Sequence, residues 1–507
     1  MTLTNEDQPR PGMSGTIQPL SAESIASWDD LSLGEEHEIA VVGSGPGASM
    51  TACLLSEAGH DVIVLEEGLF WPREEISPFS REEMLHKYRN GGLTPAFGKP
   101  AVSYVEGRCL GGGSEVNSGL YHRLPEEVRL NWNSRYFLES LTASSLEEQA
   151  ASVERDIHVS PLPGPAPLPS LLLAQGAEIL GWKCPEAPRW HCYDVPEPAG
   201  ERQTMTRTYL ARALAAGARL VTKARVANLA RERQGWRLEV TSDHPGNGRK
   251  IVRSKTIFLG AGAVGTPVLL QRSRLGKNSG RFLHMHPTVK VVALFPDVVN
   301  SSDMGVPVHQ VKEFGQNMSL GCSISNPHYL SAAMLGRPGG LEIVRDEWQR
   351  MAVYYVMIVP EGSGRVRTLP GFADPLVTVS LTRRDMGMLA LGLKRLGTVL
   401  FAAGAKRLYP TVAGLGPFTS AKELEGIPQV LPRVGTALMT VHLTSSSAMS
   451  GDPEYGVTGQ WGTVHGEKNL YVADAGLLCT APGVNPQGAI LTLVRRNVLN
   501  WLEQKRL

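Results

Sequence analysis

The stretch Ile39-Ala-Val-Val-Gly-Ser-Gly-Pro-Gly-Ala-Ser-Met-Thr-Ala-Cys-Leu-Leu, followed by Val62-Ile-Val-Leu-Glu-Glu-Gly, decides the fold. It reads as a buried parallel strand, a glycine turn, a helix, a second strand and an acid at the strand tip. That arrangement holds a dinucleotide. Gly43 permits the tight turn, Gly45 has no side chain to block a pyrophosphate, and Ala48 lets helix and strand pack closely. Pro46 and Gly47 open the helix, whose first N–H groups face the phosphates with a partial positive charge. Glu66 follows Gly43 by 23 positions, where a carboxylate accepts from ribose hydroxyls. A glycine motif alone is weak evidence; strand, turn, helix, strand and acid in register are much stronger.

The chain has 507 residues, room for two or three domain-sized units. Its formal net charge is +1 and no long basic or acidic block occurs, which argues against a nucleic-acid binder. Six scattered cysteines with no Cys-x-x-Cys pair fit a reduced, cytoplasmic protein better than a disulfide framework or a zinc site. Residues 1–36 are polar and lack the apolar centre of a signal peptide; they read as a mobile arm or a strap over the surface. No run of about 18 apolar residues marks a transmembrane segment.

The expected class is α/β, or α+β over the whole chain. A doubly wound, Rossmann-type domain comprises residues 37–135, 200–286 and 440–507 and is interrupted by an inserted antiparallel-sheet substrate domain at 287–439. Residues 136–199 form a connector or cap, with a proline-rich spacer at 160–170. Within this frame Arg81–Arg89 reads as a short exposed helix and Tyr209–Gly217 as a helix. The run from Arg219 to Leu229 reads as one strand, and Gly235–Thr241 as an alternating strand. Thr256-Ile-Phe-Leu-Gly-Ala-Gly returns the chain to the nucleotide sheet. The runs from Val289, Ala352 and Leu376 are β-rich. Arg384–Ala403 is a helical pattern that stops at Gly404, a suitable C-terminal cap.

The second glycine cluster, Gly107-Arg-Cys-Leu-Gly-Gly-Gly-Ser-Glu-Val-Asn-Ser-Gly-Leu-Tyr-His-Arg, resembles the flavin-site signature of the glucose–methanol–choline (GMC) oxidoreductases. So does the closing block, Asn469-Leu-Tyr-Val-Ala-Asp-Ala-Gly, then Pro482-Gly-Val-Asn-Pro-Gln-Gly-Ala. The resemblance implies FAD as cofactor, held by Gly111, Gly112, Gly113, Ser114, Asn117, Gly119, Val226, Asp474, Ala475 and Pro486 besides the first glycine turn. It also implies that His442, 43 positions before Asn485, takes the proton of an alcohol while hydride leaves the carbinol carbon for the flavin. Asn485 then binds the substrate oxygen. The run after His442 departs from the family's usual glycine pair: Leu443-Thr-Ser-Ser-Ser offers hydroxyls where a tight glycine turn is customary.

Other candidates read as structural. His284-Met-His286-Pro lacks further ligands at metal spacing and reads as a turn. His465 reads as a surface residue, Arg495-Arg496 as solvated, and Tyr121 and His122 as either cavity wall or core. The sequence therefore points to FAD-dependent oxidation of an alcohol to an aldehyde or ketone, with oxygen or another acceptor taking the electrons. The resemblance leans toward the bacterial cholesterol-oxidase-like or long-chain-alcohol branch, which implies a sterol, a long-chain alcohol or a hydroxylated natural-product or sugar intermediate as substrate. A non-redox lyase on the same scaffold and a flavin-binding protein without catalysis stay open as alternatives.

Overall fold

Glu35–Val42 ends in four consecutive buried residues, as a strand covered on both faces must. It lies parallel to Val62–Leu65 on one side and to the second half of Arg249–Leu259 on the other. The computed structural model describes residues 20–72, 75–92, 94–195, 200–242 and 248–506. The nucleotide sheet runs in the order Ala26–Ser27, Arg219–Thr222, Val62–Leu65, Glu35–Val42, Arg249–Leu259, Gly235–Thr241, Arg225–Glu232, and Leu470–Val472 also pairs with Arg249–Leu259. The helix Pro46–Glu57 and the closing helix Gln487–Arg506 pack on each other over this sheet.

A second sheet is almost wholly antiparallel. Its order is Gln310–Val311, Met318–Cys322, Met351–Ile358, Thr288–Leu294, Leu438–Thr440, Val102–Tyr104, Thr94–Ala96, and Arg407–Pro410 also pairs with Thr288–Leu294. One face is sealed by the helix Arg383–Ala402, whose Leu389, Leu393 and Leu396 join Val291, Tyr354 and Val356 in one apolar cluster. On the other face the helices Pro327–Met334 and Gly340–Glu347 cover Val292, Val353 and Tyr409, while the Gln310 side chain at the sheet's end meets Asn485. Leu376–Ser380 lies outside this sheet, in a separate hairpin with Ser363–Arg367.

Several local readings change in the fold. Residues 94–96 and 102–104, which carry little periodicity, are the last two strands at one side of the second sheet, with 94–96 at its edge. The run from Arg219 is two strands, because Lys223 takes φ 55° and turns the chain before Arg225. The helix Arg81–Lys87 is not simply exposed: Glu83 and Lys87 are buried as an ion pair 3.8 Å apart. Arg496 is buried too, its guanidinium 3.7 Å above the Trp461 ring centroid and bonded to the Gln460 carbonyl and Asn497. His465 is half-buried against the Ser450 carbonyl. From Leu20 the N-terminal segment is a strap: Ala26–Ser27 adds a strand beside Arg219–Thr222, and the indole N–H of the buried Trp28 donates to Val240. The expectation for residues 1–19 lies outside the described residues.

Candidate active site

Three distant segments meet where the two sheets face each other. At Gly43, φ is 92° and any Cβ would collide with the Gly260 carbonyl, so only glycine fits the turn. Gly47 presses on the Ala473 carbonyl, and a Cβ at Gly260 would collide with Ala48, which fixes helix against strand. A Cβ on Gly112 would lie 2.8 Å from Gly45 Cα, so the two glycine clusters touch. Gly111 N–H donates to Ser44 Oγ at 3.0 Å, and Ser44 Oγ donates to Glu66 at 2.6 Å. Glu66 also accepts from Gly68 N–H at 2.8 Å. Burial, and next the charge of Glu67, push its carboxyl up to about 7.

The rest of the cradle is equally tied. Ser114 Oγ donates to the Gly111 carbonyl and accepts from Met205 N–H. The Asn117 side chain bridges Gly119 N–H and Gln487 Oε1, joining the second glycine loop to the start of the closing helix. Arg202 holds the same loop through the Asn117 and Glu115 carbonyls. Asp474 gathers Gly262 N–H, Thr266 Oγ1 and Gly476 N–H, and burial pushes it up to about 6. Val226 follows Ala224, whose N–H donates to the Glu66 carbonyl, and so lies near the acid at the strand tip. Ala475 accepts from Ser445 N–H, and Pro486 precedes the closing helix, bonding Ile490.

These residues fit FAD on two observations. A Cβ on Gly45 or Gly113 would meet no protein atom within 4 Å, so bare backbone faces open space. Gln487 Nε2, at the first turn of the closing helix, is buried without a partner among the described residues. Open glycine backbone beside unspent donors is what a pyrophosphate and a flavin ring require.

The second half of the site is an imidazole pair. His442 Nδ1 lies 2.9 Å from His286 Nδ1, the rings nearly perpendicular, and His442 Nε2 lies 3.3 Å from the Asn485 amide. Burial, helped by the charge of Lys312, lowers His442 to about 4. Burial lowers His286 well below its ordinary value, helped by His442, Lys312 and His284, so both rings are neutral at pH 7. His286, read from sequence as a turn residue, is thus a direct partner of His442. Only the His-x-His spacing hinted at it, and its partner is 156 positions away.

The hydrogens of this pair can be counted. Gly483 N–H donates to His286 Nε2 at 2.9 Å, and a backbone donor cannot be reversed. The hydrogen of His286 is therefore on Nδ1, His442 Nδ1 accepts it, and the hydrogen of His442 is left on Nε2. The Asn485 amide then turns its oxygen to that hydrogen. The Gln310 amide, 3.3 Å from Asn485, turns with it and brings in Gln310 Oε1, which is otherwise unpaired. Selective ¹⁵N-histidine labelling checks the result: in the alcohol-free protein at pH 7 the one-bond N–H coupling of His442 is expected on Nε2.

The run after His442 follows the sequence reading in part: Thr444 Oγ1 donates to the His284 carbonyl at 3.4 Å and Ser445 Oγ donates to Thr444 Oγ1 at 2.9 Å. Ser445 adopts φ 72°, but the hydroxyls of Ser446 and Ser447 make no hydrogen bond among the described residues. Backbone bonds from Ser445 to Ala475, Ser447 to Gly476 and Met449 to Leu477 hold the rest of the segment. Tyr121 is core: with the His122 carbonyl it lies so close to Gly488 that no Cβ fits there. His122 keeps open surface, its Nδ1 has no partner among the described residues, and burial lowers it to about 3. Among the described residues no cluster of His, Cys, Asp or Glu could hold a metal, and no helix is long and apolar enough to cross a membrane.

A doubly wound nucleotide domain, its glycine cradle opening onto an imidazole–amide pair beneath a second sheet, defines a flavin-dependent oxidoreductase. GMC oxidoreductase family models match residues 84–288 and 360–493. An uncharacterized GMC-type oxidoreductase, y4nJ of Sinorhizobium fredii, is 34% identical over 91% of this chain and 94% of its own length. The long-chain-alcohol oxidase FAO3 of Arabidopsis thaliana is 25% identical over 93% of this chain and 68% of its own. The crystal structure of a pyridoxine 4-oxidase superposes with a TM-score of 0.70 at 18% identity, covering 92% of this chain and 99% of that one. The chain belongs to the GMC oxidoreductase family and is an FAD-dependent enzyme.

Proposed function

We propose that this enzyme oxidises a primary or secondary alcohol to an aldehyde or ketone, with His442 and Asn485 binding the reacting oxygen. The observation that carries the reading is the adjacency of His442 Nε2 and Asn485 where the closing helix begins. When bound, FAD supplies the two-electron hydride acceptor at that place. Asn485 fixes the oxygen, and His442 takes the hydroxyl proton on Nε2.

To accept there, the pair must shift its hydrogens one place toward Gly483. That arrangement frees the Nε2 lone pair but sets the Gly483 N–H against another N–H, at a cost of about 1–3 kcal/mol. His286 thereby sets the price of arming the base. Relatives that are oxidases support oxygen as the electron acceptor, and the long-chain-alcohol oxidases among them support a CH–OH substrate.

Anaerobic mixing of the FAD-loaded protein with a panel of alcohols tests the proposal. Bleaching of the flavin band by at least one of them, and its return on admitting air, is the expected result. A flavin that no alcohol bleaches, in a protein that still converts a substrate, would establish the lyase reading.

A further inference from the structure

The face of the second sheet that looks toward His442 carries cations and no acids. Gln310 pairs with Gly321, Gly321 with Tyr355 and Tyr355 with Lys290, so these four residues form one row across the sheet. The Tyr355 ring fills the room left by Gly321, and its hydroxyl meets the Gln310 side-chain amide at 3.4 Å. Gln310 in turn meets Asn485, so the row reaches the imidazole pair. Lys312 lies two residues beyond Gln310, just past the strand end, and the N–H groups of both donate to the same neighbouring segment, at Pro185 and Lys183, so the two residues share a face about 7 Å apart.

Lys312 is deep in the protein yet keeps accessible surface, as do His442, His122 and Asn485. Surface that far inside opens onto an internal cavity. Among the described residues its ammonium has neither a carboxylate nor a hydrogen-bond partner. The neighbouring Glu313 turns outward to Lys183 N–H. The charge of Lys312 reaches His122, His286 and His442. No aspartate or glutamate acts on any of them. Burial lowers Lys312 only to about 8, so at pH 7 it keeps a positive charge that no carboxylate among the described residues neutralises. An unpaired buried ammonium is costly, and such a group is a mark of a ligand site.

We propose that Lys312 is an anion subsite for the substrate: the alcohol this enzyme oxidises bears a carboxylate or phosphate, which Lys312 binds while His442 and Asn485 hold the carbinol oxygen. The inference rests on the alcohol-oxidising reading and narrows it, away from wholly apolar alcohols and toward hydroxy acids and phosphorylated alcohols.

The test uses the FAD-loaded protein at pH 7 and two isosteric pairs, acetate with acetamide and benzoate with benzamide, titrated against the flavin absorbance. The carboxylates are expected to bind about ten- to a hundredfold tighter than the amides, the worth of one charge-assisted hydrogen bond. Lys312→Met should erase that preference, and Lys312→Arg should keep it. Flavin content and melting temperature identify a variant that has failed to fold, in which case Lys312→Gln replaces Lys312→Met. Phenyl phosphate alongside benzoate separates a phosphate subsite from a carboxylate subsite. Equal binding of acid and amide, or no perturbation by either, overturns the proposal. So does a Lys312→Met protein that keeps the preference but whose flavin becomes harder to reduce, since the lysine would then serve the reduced ring. Failure of the broader reading looks different: no alcohol, charged or neutral, bleaches the flavin.

Discussion

Replacing His442 with alanine is expected to slow reduction of the bound flavin by alcohol about 10²- to 10⁴-fold while leaving the flavin in place. The side chain lies beside Asn485 and makes none of the cradle contacts that join Gly45, Gly112, Glu66 and Asp474. Its loss leaves the His286 Nδ1–H unpaired, a penalty of about 1–3 kcal/mol that a large domain survives. The pH profile sharpens the expectation. Burial lowers His442 to about 4, so at every pH above that value the ring is neutral and, once the pair has shifted its hydrogens, able to accept a proton. As pH falls through about 4 the ring becomes charged and the base is lost, so kcat/KM should be level near neutrality and fall only below about pH 5. In the alanine variant the residual rate should lack that acid limb. Stopped-flow reduction across pH 3.5–8 reads both effects. An alanine variant with the parent's rate, or with the same acid limb, would remove His442 from the chemistry.

The nucleotide half of this site is legible because its requirements are local. Gly43, Ala48 and Glu66 all serve one strand–turn–helix–strand unit, and its hydrophobic runs record burial directly in composition. The same holds for the helix Arg383–Ala402, where Gly404 takes φ 88° just beyond the end, as a glycine cap should. What the sequence hides is pairing at a distance. His286 reads as a turn residue until the strands His284–Met285 and Leu443–Thr444 pair and set it against His442. Glu83, Lys87 and Arg496 read as solvated because charge predicts exposure, and only tertiary contacts reveal their partners. Lys312 carried no signal at all: a lysine after a short edge strand acquires meaning only from the three histidines that its charge reaches.

The glycines of the cradle should separate into two kinds when enlarged, and the separation tests whether the open space is the cofactor's. Gly43→Ala places a Cβ against the Gly260 carbonyl at a φ of 92°. A left-handed non-glycine residue costs about 1–2 kcal/mol before the clash is counted, so this variant should be unstable with or without FAD. Gly113→Val meets no protein atom within 4 Å, and Gly113 is not among the residues with positive φ. The flavin-free protein should therefore melt within a degree or two of the parent, as a surface substitution worth less than about 0.5 kcal/mol would. Its loss should appear only on adding FAD. The parent gains stability from every binder of the folded state, about 2.7 kcal/mol when the ligand is a hundredfold above its Kd, whereas the valine variant should gain almost none. Thermal melts of stripped protein with and without added FAD, read beside the ratio of flavin to protein absorbance, measure both quantities. If Gly113→Val protein takes up flavin as the parent does, the space beside Gly45 and Gly112 does not belong to the cofactor. Placing the flavin at the His442–Asn485 pair would then fail with it, because the same loop, through Asn117 and Gln487, anchors the start of the closing helix that sets the pair.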